Sequence, residues 1–159
     1  MSLREELEDF LGDGDRRVAV MGIGSPIRGD DAVGLLVVEE LQRFGLRNVL
    51  LVSAETVPES FTGKIRDFES THVLMIDAAD FGGDPGNARM IPKAAIGGST
   101  ISTHSMPLSV LIDFIEKTTR SRVALLGVQP RGIELGSEVT PDVREASRKI
   151  ASLICDLIK

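Results

Sequence analysis

Short apolar runs alternate along the chain with stretches in which apolar residues recur at helical spacing. Four runs rich in Val, Ile and Leu predict strands at residues 18–23, 49–52, 73–76 and 123–128, and the run 18–23 has the form of a strand buried on both faces. An alternating segment at 88–91 follows the turn-forming sequence GGDPGN and predicts an edge strand. This order indicates strands that are connected by helices.

The stretches between the strands carry helix signals. Ser2 and Glu5 form a capping box, Pro58 begins a helical segment, and Thr140 is predicted to cap the last helix, with Pro141 in its first turn. The predicted buried stripes are Leu3, Leu7, Phe10 and Leu11; Val33, Leu36, Val37, Leu41 and Phe44; Phe61, Ile65 and Phe68; Leu108, Leu111, Ile112 and Ile115; and Val143, Ala146, Ile150, Leu153, Ile154 and Leu157.

Strands that alternate with helices predict an α/β fold. Right-handed crossovers place helices on both faces of a mostly parallel, twisted sheet of about five strands, which is a three-layer sandwich. The 159 residues contain no linker or internal repeat, so we expect residues 1–159 to form one domain. Ligands of such folds bind beyond the carboxyl ends of the strands.

Composition and charge indicate the cellular compartment and exclude some classes of binding partner. The chain has a formal charge of -6 without a basic cluster and few aromatic residues, which argues against nucleic acid or a membrane surface as partner. No apolar run is long enough to span a bilayer, and the acidic amino terminus does not resemble a secretory signal. The single cysteine, Cys155, fits a reducing compartment. We therefore expect a soluble, cytoplasmic protein.

The loop GIGSPIRGDDAVG, residues 22–34, stands between a predicted strand and a predicted helix, where nucleotide-binding loops lie. The dinucleotide fingerprint needs a glycine where Ile27 stands, and the P-loop spacing of Gly24 and Gly29 is followed by Asp30 and Asp31 instead of lysine and serine or threonine. Two carboxylates would repel a phosphate, so the loop suits a cation. Asp30 as a helix cap, with Asp31 as a favourable first-turn charge, is an equally simple interpretation.

Two more polar residues lie at the ends of predicted elements near the same edge. Asp77 comes directly after the apolar run VLMI, and His104 precedes the fourth long helix. Each taken alone could be a capping aspartate or a loop histidine. Together with Asp31 they form a mixed oxygen and nitrogen ligand set that suits zinc, nickel, iron or manganese, and three ligands leave positions open for water or substrate.

Other chemistry is weakly supported by the sequence. No GxSxG elbow or HExxH helix is present. Cys155 has no histidine nearby in sequence to activate it, and His72 begins a strand, where a structural role is expected. A serine hydrolase, a cysteine protease or an ordinary zincin is therefore not indicated.

Four segments in order resemble the maturation endopeptidases of nickel-iron hydrogenases, most closely the hydrogenase 3 maturation type. They are GIGSPIRGDDAVG, LMIDAAD at 74–80, THSMPLSVLIDFI at 103–115 and LLGVQP at 125–130. The family's metal-binding residues correspond to Asp31, Asp77 and His104. The chain departs from the family's usual residues at Ser25 and Ala32, and Asp31 is shorter than the glutamate of some members.

The resemblance implies an endopeptidase that removes a carboxyl-terminal extension from a hydrogenase large-subunit precursor after nickel insertion. Asp31, Asp77 and His104 would bind nickel that arrives in the precursor, and would act as the catalytic residues. Glu59 and Gln129 lie in family-like segments and are candidate substrate contacts, although a helix-start glutamate and a strand-end amide explain them equally well.

Two other functions stay open at this point. The same three residues could serve an autonomous metal-dependent hydrolase that carries its own metal. They could also serve a nickel-responsive binding module that leaves its partner uncut. The sequence does not reveal the resting metal of the free protein or its oligomeric state.

Overall fold

The computed structural model describes residues 1–99 and 106–159. These residues form a five-stranded sheet in the order β2-β1-β3-β5-β4. The first four strands in that order are parallel, and β4 runs antiparallel to β5 at one edge. The strands are β1 (Val18–Ile23), β2 (Val49–Glu55), β3 (His72–Ala78), β4 (Ala88–Ile91) and β5 (Arg122–Val128). The predicted sheet is confirmed.

Helices connect the strands on both faces. They are α1 (Leu3–Leu11), α2 (Val33–Arg43), α3 (Thr62–Phe68), the short α4 (Ile96–Ser99), α5 (Leu108–Thr118) and α6 (Pro141–Ile158). The capping box at the start of α1 is present: the Glu5 N–H donates to Ser2 Oγ at 3.1 Å, and the Ser2 N–H donates to Glu5 Oε1 at 3.2 Å. None of the described helices is both long and apolar enough to cross a bilayer.

Two apolar cores enclose the sheet. On one face, α1, α2 and α6 pack against side chains such as Val20, Ile76 and Leu126. On the other face, α3 and α5 pack against the alternate side chains, including Met21, Met75 and Leu125. Because successive side chains of a strand point to opposite faces, the apolar runs of the central strands fill both cores. The three-layer sandwich is therefore confirmed.

The carboxyl ends of the four parallel strands lie at one edge of the sheet. The segments that follow them are residues 24–32 after β1, 56–61 after β2, 79–87 after β3 and 129–140 after β5. The last of these is irregular, and the first two contain the 3₁₀ turns Gly29–Ala32 and Pro58–Phe61. We call this the carboxyl edge; the candidate residues Asp31, Glu59, Asp77 and Gln129 all lie along it.

Candidate acidic site at the carboxyl edge

Asp31 lies in the 3₁₀ turn that follows β1, and its side chain is fully buried. The Ser25 N–H donates a hydrogen bond of 2.8 Å to Asp31 Oδ2, so the loop itself orients the carboxylate. The Asp31 N–H donates to the Arg28 carbonyl at 3.1 Å. A backbone donor on a charged acceptor is stronger than a neutral hydrogen bond, which fixes this side chain firmly.

Asp77 belongs to β3 rather than following it, because the strand continues through Ala78. It pairs in register with Gly127 of β5 and is fully buried. Its Oδ1 accepts a hydrogen bond of 2.8 Å from the Ala78 N–H. Its Oδ2 is also buried and has no hydrogen-bond partner among residues 1–99 and 106–159. A buried carboxylate oxygen without a hydrogen-bond partner is costly and calls for a ligand or a proton.

Asp31 and Asp77 interact electrostatically. Burial first, and then the negative charge of Asp31, raise the pKa of the Asp77 carboxyl well above its usual range, while the Ala78 N–H lowers it. Two buried carboxyls that repel each other are stabilised by a shared proton or by a cation. The oxygen donors of these two side chains suit a divalent cation as well as a proton.

Two glycines, Gly24 and Gly34, allow the turn that carries Asp31 to lie close to β3. A Cβ added at Gly24 would overlap the Asp31 carbonyl oxygen, and Gly24 also has φ +142°, where other residues are strained. A Cβ at Gly34 would overlap the Ile76 carbonyl oxygen. Gly34 therefore lets the start of α2 lie directly on β3, which brings the turn that carries Asp31 next to Asp77.

Asp30 has a different role from its neighbour. It is fully buried, but its carboxylate binds the segment 129–140 instead of capping a helix. Oδ2 accepts from the N–H groups of Arg131 (2.8 Å) and Gly132 (3.3 Å), and Oδ1 accepts from the Thr140 N–H (2.7 Å). The Thr140 hydroxyl lies 3.0 Å from Oδ1 and 2.8 Å from Oδ2. Asp30 thus joins the loop after β1 to the loop after β5.

Gln129 is buried at the end of β5 and organises the loop after β3. Its Oε1 accepts hydrogen bonds from the N–H groups of Phe81 (2.9 Å) and Gly83 (3.1 Å). Its Nε2 donates to Asp80 Oδ1 at 3.2 Å. These contacts give Gln129 a structural role, and its contact with substrate stays a prediction.

Glu59 lies in the 3₁₀ turn after β2, so it stands on the β2 side of the acid pair, whereas Gln129 stands on the β5 side. Its Oε2 is buried without a hydrogen-bond partner among the described residues. No group of three or more His, Cys, Asp or Glu side chains within the described ranges could hold a metal ion. Glu59 is therefore not a third ligand for Asp31 and Asp77 in this arrangement.

His104, the third predicted ligand, lies outside the described residues. After it, Met106 packs against the core, and α5 begins at Leu108. Because α5 leads into the parallel strand β5, its amino end lies at the carboxyl edge of the sheet. The structure thus brings Asp31 and Asp77 together, while the position of His104 stays a prediction.

The remaining candidates lie away from this edge. Cys155 is buried among the apolar residues of α6 and its neighbours. His72 begins β3 at the opposite edge, where its ring contacts Phe10 edge-on with centroids 5.3 Å apart. Both therefore have the structural roles that the sequence suggested.

Fold and site define the class of protein: a single-sheet α/β domain with a buried acidic pair at the carboxyl ends of its strands. The model of the hydrogenase maturation protease family matches residues 35–157. The chain is 30% identical to the hydrogenase 3 maturation protease of Escherichia coli over 125 residues, which cover 78% of this chain and 80% of the relative.

A second relative and a solved structure indicate the same family. A Methanocaldococcus jannaschii protein whose name assigns it to hydrogenase maturation is 31% identical over 152 residues, covering 91% of this chain and 89% of its own length. The crystal structure of a [NiFe] hydrogenase maturation protease from Thermococcus kodakarensis superposes with a TM-score of 0.87 at 34% identity, covering 96% of this chain and 98% of that one. The chain belongs to the hydrogenase maturation protease family, and this membership assigns it protease activity.

Proposed function

We propose that this protein is the endopeptidase that removes the carboxyl-terminal extension of a nickel-iron hydrogenase large-subunit precursor, and that it acts after nickel has been inserted. The observation that carries the proposal is the buried acid pair in a member of this family. Asp77 Oδ2 has no hydrogen-bond partner among the described residues, and the pKa of Asp77 is raised beside Asp31. A divalent cation is the ligand that this environment favours.

The proposed ligands of the metal are Asp31, Asp77 and His104. Two carboxylates and an imidazole suit nickel, and three protein ligands leave room for groups of the precursor. A metal held there would polarise a carbonyl group or acidify a coordinated water. We propose that nickel is delivered by the precursor and is thus part of the substrate.

The residues of the chain have two tasks in this proposal. The Ser25 N–H orients Asp31, and the Ala78 N–H orients Asp77, so neither carboxylate has to be ordered when substrate arrives. Such preorganisation lowers the entropic cost of binding. The second task is to exclude water: both aspartates are fully buried, and a low local dielectric strengthens their attraction for a cation.

The decisive experiment compares two forms of one precursor, purified from nickel-fed and from nickel-starved cells. Purified enzyme is added to each, and loss of the carboxyl-terminal peptide is followed by mass spectrometry. We expect cleavage of the nickel-loaded form alone. Equal cleavage of both forms would favour an autonomous hydrolase, whereas binding of the precursor without any change in its mass would favour a non-enzymatic binding module.

A further inference from the structure

Two loops beside the acid pair expose large apolar side chains. Ile27, in the loop after β1, is 60% exposed, and Leu135, in the loop after β5, is 64% exposed. Apart from the amino-terminal Met1, these are the most exposed large apolar side chains of the described residues. One exposed apolar side chain is ordinary on a protein surface, but a patch of them beside a functional site marks an interaction surface.

The two loops form one surface, because their backbones are hydrogen-bonded to each other. The Gly136 N–H donates to the Ile27 carbonyl at 2.7 Å, next to Leu135 in the chain. The Gly29 N–H donates to the Ser137 carbonyl at 3.1 Å, and the Asp30 N–H donates to the Gly132 carbonyl at 3.0 Å. We call residues 25–28 together with 131–137 the two-loop platform.

The buried carboxylate of Asp30 holds the second loop of the platform in place. It accepts hydrogen bonds from three backbone N–H groups of the second loop and from the hydroxyl of Thr140, in a fully buried position. Irregular loops are usually the mobile parts of a domain. Here a loop without regular structure is fixed by a buried charge, and a fixed surface loses little entropy when a partner binds.

The platform is continuous with the acid pair. Ser25, at its start, donates its N–H to Asp31, and Asp30, its anchor, directly precedes Asp31 in the chain. Ile27 and Leu135 therefore lie on the two loops that orient Asp31 and anchor its neighbour Asp30. We propose that the two-loop platform is the docking surface for the folded part of the precursor, with Ile27 and Leu135 as its apolar contacts. This inference rests on the proposed function, since the occupant is the protein substrate.

The test uses Ile27→Ser, Leu135→Ser and the double variant, with Phe44→Ser as the matched control. Phe44 is also a large apolar side chain, 49% exposed, but it lies at the carboxyl end of α2, at the opposite edge of the sheet. KM and kcat are measured with nickel-loaded precursor. We expect the double variant to raise KM about tenfold with kcat within about twofold, as the loss of an apolar anchor does at interfaces, and the control to leave both unchanged.

Binding is measured separately with and without the double substitution in enzyme that carries Asp77→Asn, so that neither cleavage nor nickel ligation by Asp77 contributes to the difference. The Kd for the precursor should rise with the double variant as KM does.

If wild-type enzyme cleaves precursor and the double variant leaves KM and Kd unchanged, the platform is not the docking surface, although the proposed function stands. If wild-type enzyme cleaves nothing, the proposed function fails, and the Kd comparison still decides whether precursor binds at the platform. A wild-type dimer that the double variant separates in sedimentation, at unchanged KM, would assign the surface to a second copy of the chain and overturn the inference.

Discussion

Thr140 donates both its backbone N–H and its hydroxyl to the carboxylate of Asp30, a residue 110 positions earlier in the chain. Thr140 is the N-cap of α6, but its hydroxyl does not cap that helix. The contact instead connects the start of α6 to the loop that carries Asp31. It is thus a tertiary contact that helps to build the site.

Asp30→Asn should lower the free energy of unfolding by about 2–3 kcal/mol, because a buried charged acceptor of several N–H groups is replaced by a neutral amide with one acceptor atom. Thr140→Val removes only the hydroxyl and should cost about 1 kcal/mol. Urea denaturation measures both. The control is Asp142→Asn, which removes an exposed ion pair with Arg131 and should change stability by less than about 0.5 kcal/mol. A change for Asp30→Asn no larger than that of the control would contradict the role of Asp30.

Asp31→Asn, Asp77→Asn and His104→Ala should each abolish processing of the precursor while leaving circular dichroism unchanged, since a site with three ligands loses its metal when one is removed. Asp80→Asn is the matched control near Asp77, because Asp80 is exposed and its carboxylate accepts from Gln129 and Gly82. It should retain processing. Full processing by two of the three ligand variants would remove the assignment of the site.

Cys155→Ala should process precursor at the wild-type rate, since Cys155 is buried in the core formed with α6 and lies far from the carboxyl edge. A nucleophilic thiol needs access and an activating neighbour. The comparison is made on equal amounts of folded enzyme, with the mass of the released peptide as the measurement. An inactive but folded Cys155→Ala variant would revive a cysteine mechanism.

The raised pKa of Asp77 predicts how stability depends on pH. The folded state keeps a proton on Asp77 at pH values where the unfolded chain, with a pKa of about 3.9, has lost it. The free energy of unfolding should therefore fall as pH rises from that value through the raised folded pKa. Asp77→Asn removes this contribution, because a neutral amide has neither the cost of burying an ionisable carboxyl nor that of placing it beside Asp31, and it should be more stable than wild type at neutral pH by about 1–2 kcal/mol.

The measurement is urea unfolding of both proteins, with a chelator present, at a series of pH values from acid to neutral. His72 has the opposite effect, because burial and the charges of Arg122 and Arg16 lower its pKa. It is present in both proteins, so its contribution cancels in the difference. Parallel curves for wild type and Asp77→Asn would contradict the raised pKa of Asp77.

Divalent nickel, zinc or cadmium should bind the free protein at about one site per chain, more weakly as pH falls, because protons compete for the carboxylates and the imidazole. Isothermal titration calorimetry measures this binding. Unchanged affinity in the Asp77→Asn, His104→Ala double variant would contradict the proposed ligands, whatever the outcome of the processing assay.

Much of the fold follows from local pattern. β1 has the predicted bounds because six consecutive apolar or small residues serve both cores. β3 is longer than predicted: the apolar pattern ends at Ile76, yet the strand continues through Asp77 to Ala78 because its neighbour β5 continues to pair with it. Phe44 was expected in the buried stripe of α2 but is half-exposed, since the helix ends at Arg43 before the stripe reaches it.

The site is less predictable than the fold. Asp31 and Asp77 can be placed together from sequence because parallel strands end at one edge. The structural role of Asp30 cannot be predicted in this way. Its partners are backbone N–H groups in a loop about one hundred residues later, and every residue type except proline has such a group, so the sequence near Asp30 does not reveal them. The same holds for Gln129, whose side chain binds the loop after β3.

Gly34 has a consequence for anyone who would redesign this protein. The separation of the two aspartates depends on how closely α2 lies on β3, and that separation is set at a position without a side chain. Exchanging the aspartates for glutamates would lengthen the side chains but keep the same carboxylate donors and the same gap between the elements that carry them. Even one methyl group at position 34 would have to displace the backbone of Ile76 or Ile23. The spacing of the backbone segments that carry the acid pair is therefore set by the packing of α2 on the sheet and not by the two aspartates themselves.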